Sequence, residues 1–97
     1  MSTQKLPPPP AASAARSAQE IARVWVADGN LHVSLATEVW SDPAAWGLVL
    51  VDIARHVARS YAHTSGLEES EAFSRIMAGF EAEASSPTDD LHNPPAS

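Results

Sequence analysis

"IARVWVADGNLHVSLA" (21–36) decides how the rest of the chain is read. Asp28-Gly29 separates two runs in which apolar and polar residues alternate. A two-residue loop of type I′ needs positive φ at both central positions, which Asp-Gly tolerates better than most pairs. With that pair as the loop, Ala27 stands opposite Asn30, Val26 opposite Leu31, Val24 opposite Val33 and Ala22 opposite Leu35. One face of the hairpin is then wholly apolar and is expected to enter the core. The other carries Trp25 opposite His32 and Arg23 opposite Ser34. A slip of one residue would mix the two faces, so turn chemistry and patterning specify the same register.

Downstream, "TEVWSDPAAW" (37–46) forms a connector into a helix. Asp42 before Pro43 has the character of an N-cap followed by a first-turn proline. The carboxylate accepts orphan amide groups, and the missing proline donor costs nothing there. Trp40 outside the cap and Trp46 in the first turn are spaced to pack together, a variant of the hydrophobic staple, with a pocket between them as the rival reading. The helix is expected to run to about His63 and to stop before Ser65-Gly66. Trp46, Leu50, Ile53, Ala54, Val57 and Tyr61 share one side of it. Its first half, "WGLVLV" (46–51), is apolar in every direction, with Leu48 in line with the polar side. A helix of that kind expects cover on more than one side.

A second helix is expected over "SGLEESEAFSRIMAGFEAE" (65–83). Ser65 and Glu68 have the spacing of a capping box, and Glu68, Glu69 and Glu71 suit the positive end of the helix dipole. Phe73, Ile76, Met77 and Phe80 make a narrow apolar stripe that can cover one side of the first helix. The fold class expected is α+β in the order ββαα, a single domain over 20–84. It is flanked by disordered tails: a proline- and alanine-rich one over 1–19, and a polar one over 85–97 in which Leu91 is the only large apolar residue and Asp89-Asp90 a solvated acidic pair. A core built from about 65 residues is marginal without a staple.

Composition narrows the function classes. Net charge is −6, and across 20–84 ten acidic residues face four arginines and no lysine. A duplex binder needs several cations directed at phosphates, so nucleic acid is disfavoured. No cysteine is present, which excludes disulfides, iron–sulfur clusters and thiol nucleophiles in this chain. No apolar run approaches a membrane span and no secretory leader is visible, so a cytoplasmic location with no membrane association is expected. No glycine-rich loop cradles phosphate, no serine sits in a nucleophile elbow, and no cofactor is expected.

The polar candidates lie in "DIARHVARSYAH" (52–63). Asp52, His56, Arg59 and His63 fall within a sector of about 60° on the first helix, with Arg55 beside them. Asp52 and His56 could act as an orienter and base, and Arg59 could hold an anion. His56 and His63 are about 10 Å apart along the axis, too far to share one metal unaided, and no third ligand is evident except His32. The simpler reading is a solvated face in which Arg55 and Arg59 meet the glutamates of the second helix, and it outweighs the site. Trp25, His32, Leu48 and Val51 are the interface candidates, because they leave apolar or aromatic surface that one thin neighbouring helix cannot shelter.

Over 24–62 and 75–83, through the hairpin, the W-x-D-P-x-x-W-G connector and the D-x-A-R-H-V-A-R helix, the chain resembles the domain-of-unknown-function family 5076 of small uncharacterised bacterial proteins. That resemblance implies one compact domain and transfers no activity and no site residues. The residues favour a non-enzymatic domain that joins a second copy or a protein partner. Anion or metabolite binding, or weak catalysis, at the Asp52–His63 face is the alternative. An acidic adaptor for a basic protein is a third reading.

Overall fold

The computed structural model describes residues 5–86 of the 97. In chain order these form α1 (Pro10–Ala14), β1 (Ala22–Ala27), β2 (Asn30–Leu35), a 3-10 turn (Thr37–Val39), α2 (Ala44–Ser65) and α3 (Glu69–Ser85). The core order is ββαα, as the patterning predicts. Of the C-terminal tail expected over 85–97, Ser85 belongs to α3 and Ser86 follows as its cap, and residues 87–97 lie outside the described residues.

The strands pair antiparallel in the predicted register, from Ala22 opposite Leu35 to Ala27 opposite Asn30. Asp28 at φ 53° and Gly29 at φ 81° supply the two positive dihedral angles of the turn. One further backbone bond, from the Ala36 N–H to the Ile21 oxygen at 2.9 Å, continues the ladder past the open end.

At the head of α2, Pro43 already has helical angles (φ −56°, ψ −22°) although the helix is bounded at Ala44. Asp42 thus stands in the capping position, and its Oδ1 accepts the Ala44 N–H at 3.0 Å. Trp40 and Trp46 meet edge to face, with ring centroids 5.4 Å apart at 82°. Among the described residues, the Trp46 indole nitrogen is the buried side-chain polar atom without a hydrogen-bond partner. The tryptophans brace the connector against the first turn of α2.

The junction between the long helices departs from expectation. Ser65 does not begin a capping box. It is the last residue of α2, and its hydroxyl donates to the Tyr61 carbonyl at 2.9 Å. Gly66, at φ 78°, closes α2 in the left-handed region, so α3 starts only at Glu69, after the extended Glu68. The left-handed glycine ends the helix one residue beyond the serine, and the serine is consumed by the helix it was expected to leave. A second difference lies in 1–19, where Pro10–Ala14 winds into one exposed helical turn with proline in its first turn. Alanine's helix propensity and proline's preset φ account for it locally, and none of its residues is buried.

Packing between elements is confined, among the described residues, to β1 against β2 and α2 against α3. The helices meet through small side chains. Among the described residues, Ala54, Ala58 and Ala72 are the buried hydrophobic ones, and Ala58 is wholly inaccessible. Phe73, Ile76 and Met77 are half-buried around them. The apolar face of the hairpin, expected to enter the core, is open: Val24 is 60% exposed and Val26 73%. Its natural counterpart, the helix pair, stands elsewhere in the same chain.

Candidate functional site

The polar stripe is built as the helical spacing predicts. Asp52, His56, Arg59 and His63 all lie on the exposed surface of α2. The His56 Nδ1–H donates to the Asp52 carbonyl oxygen at 2.8 Å, and the same nitrogen is 3.7 Å from the Asp52 carboxylate. Arg59 Nε stands 3.7 Å from Glu69 Oε2 at the start of α3. Arg55 does not meet a glutamate: its guanidinium lies over the Phe73 ring, 4.5 Å from the centroid. Arg75 pairs along α3 with Glu71 at 2.9 Å. Exposed pairs of this kind contribute little, about 0–1 kcal/mol each. The stripe is exposed to solvent, with His56 held by its own helix and Arg59 beside Glu69.

Two depressions stand out on the surface, and neither includes the stripe. One, of about 250 Å3, lies where α2 meets α3, lined by Tyr61, Leu67, Ala72, Arg75 and Ile76. The other, of about 320 Å3, opens at the foot of the hairpin between Glu20–Arg23 and Ser34–Glu38. Among the described residues, no three His, Asp or Glu side chains converge as they would need to for holding a metal ion.

The apolar surface is the larger feature. Of the interface candidates, Leu48 is 75% exposed and Val51 36% exposed, on the α2 segment that is apolar all round. Trp25 is half-buried and His32 exposed on the polar side of the hairpin. Two extended apolar surfaces escaped that selection. The first is the hairpin face of Val24, Val26, Leu31, Val33 and Leu35, each about half exposed or more. The second is the α2 stripe of Leu50, Ile53, Val57 and Tyr61, between 39% and 51% exposed. The sequence assigned both to an internal core, because alternation and helical period show which residues share a face but not what lies against it. The available warning was the narrowness of the α3 stripe, which can shelter one side of α2 and no sheet besides.

Both helices fall short of a membrane-crossing span: among the described residues, no helix is long and apolar enough to traverse a bilayer. No curated protein matches the chain. It is similar to a solved structure described as a "putative pyruvate dehydrogenase from the photosynthetic bacterium Rhodopseudomonas palustrus CGA009", at 46% identity and a TM-score of 0.70, over 91% of this chain and 90% of that one. The family model described as "Domain of unknown function (DUF5076)" matches residues 5–88, across the hairpin, the connector and both long helices, and the chain belongs to that family.

Proposed function

We propose that this chain is a self-associating, non-enzymatic interaction domain whose folded unit is a homodimer. The observation that carries the reading is the near absence of a core within one copy. Among the described residues the buried hydrophobic ones are three alanines, while the hairpin face packs on neither long helix and the α2 stripe, bordering α3 at Tyr61, stays about half exposed. A lone two-stranded hairpin is marginal in water. Fully burying a valine or leucine side chain is worth about 1.5–3 kcal/mol, so covering surfaces that are half exposed gains about half that per residue. Nine such side chains on one copy provide a strong reason to find a partner.

Chemistry on a single copy has weaker support. The Asp52–His63 face projects into solvent, and its Arg59 is already beside Glu69. The activity named for the Rhodopseudomonas palustrus relative is not carried over to this chain. Handling a reactive carbanion from a 2-oxo acid calls for an enclosed, water-poor site, and the depressions described above are shallow and open.

Size-exclusion chromatography with light scattering tests the reading. The expected mass is twice 10.3 kDa at micromolar concentrations. A clean monomer that melts cooperatively, at a temperature independent of concentration, would end it. Partner binding that vanishes at moderate salt would favour the acidic-adaptor reading instead.

A further inference from the structure

We infer that the second copy docks reciprocally: the apolar hairpin face of each chain covers the α2 stripe of the other. This rests on the homodimer reading and adds which surfaces meet. The two surfaces match in kind and in size. A six-residue strand spans about 20 Å at roughly 3.3 Å per residue, and β1 and β2 each have six residues. Leu50 to Tyr61 covers about 16 Å along the axis of α2 at 1.5 Å per residue. A flat strip of valine and leucine thus meets a helical stripe of nearly equal length, the usual way a sheet face is sheltered by a helix.

The area also suits a dimer. Nine half-exposed apolar side chains offer roughly 300–500 Å2 per copy on the transfer scale. With the apolar share of about 60% typical of interfaces, that corresponds to a patch of about 500–800 Å2 per partner, which reaches the standard size of a stable complex at its upper end. Neither surface includes a charged side chain, so joining them buries no ion. The net charge of −6 stays outside the contact.

Reciprocity singles out a second copy as the occupant. Each chain presents one sheet face and one helix stripe, and a two-fold axis satisfies all four surfaces at once and closes the assembly. The braced connector keeps them apart within one chain. The 3-10 turn, the Asp42 cap and the Trp40–Trp46 contact together orient α2 as it leaves the hairpin, and among the described residues the hairpin does not pack against α2 or α3.

The chain contains no cysteine, so single thiols report position cleanly. Val26→Cys in a tagged copy and Ile53→Cys in an untagged copy, co-expressed and treated with a short bis-maleimide, should give a covalent heterodimer as the dominant product. On a denaturing gel it runs at twice the mass of one chain. Mixtures carrying Val26→Cys on both copies, or Ile53→Cys on both, should remain at single-chain mass. Like-to-like products from either mixture would overturn the reciprocal arrangement while leaving the dimer intact. A link within one chain of the double variant, seen at single-chain mass, would also overturn it. Monomeric light scattering of the unmodified chain would remove both this arrangement and the homodimer.

Discussion

His56 shows how far a suggestive side chain can lie from a site. It touches its own helix at the Asp52 carbonyl and faces water. His56→Ala is therefore expected to change stability by less than about 1 kcal/mol in a thermal melt followed by circular dichroism, as exposed substitutions usually do. A much larger loss would mean that the imidazole is covered in the assembled protein. Ala58 is the opposite case. It is wholly inaccessible where α2 meets α3, and Ala58→Leu adds volume to a contact that small residues make possible. The expected cost is about 1–3 kcal/mol, read from the denaturant midpoint at unchanged slope.

At the scale of elements, ends and turns hold most of the local information. The Asp42 carboxylate caps α2, and Asp42→Ala should cost about 1 kcal/mol. Gly66 closes the same helix in the left-handed region, and open space surrounds the position where a Cβ would stand. Gly66→Ala should thus show the backbone penalty alone, about 1 kcal/mol, measured by chemical denaturation. A gain in stability there would mean that the helix end adopts another conformation. The hairpin and the start of α2 were legible because Asp-Gly, alternation and Asp-Pro are local signals that act within a few residues. The α2–α3 junction was misread for the same reason. Ser65 fits two local roles, last turn of one helix or cap of the next, and only the left-handed Gly66 after it decides between them.

At the scale of the whole molecule, the apolar surfaces dominate. Val24 lies on the hairpin face expected to enter the core, where Val24→Asp would unfold the domain, yet in a single copy Val24 is 60% exposed. In the homodimer reading the same substitution acts at the interface. Light scattering should show a shift from dimer to monomer, and the melting temperature should fall steeply with dilution. A Val24→Asp chain that stays dimeric with unchanged stability would contradict that placement. Raising salt should leave the dimer intact, because its contact surfaces are uncharged.

The polar candidates and the apolar ones differ in how they could be read in advance. The Asp52–His63 stripe was legible as a shared helical face, and its residues do lie together, but helical period is silent on concavity. The hairpin face and the stripe from Leu50 to Tyr61 were legible as faces too, and were placed in an interior that one chain does not form. By itself the sequence determined the strands and their register, the capped start of α2, the family of the chain and the uncharged character of its two large apolar faces. These follow from backbone geometry and side-chain period over a few residues. Only the tertiary structure decided that α3 covers the alanine side of α2 and that the hairpin stands clear of both helices. Burial is a relation between distant segments, which no local pattern encodes.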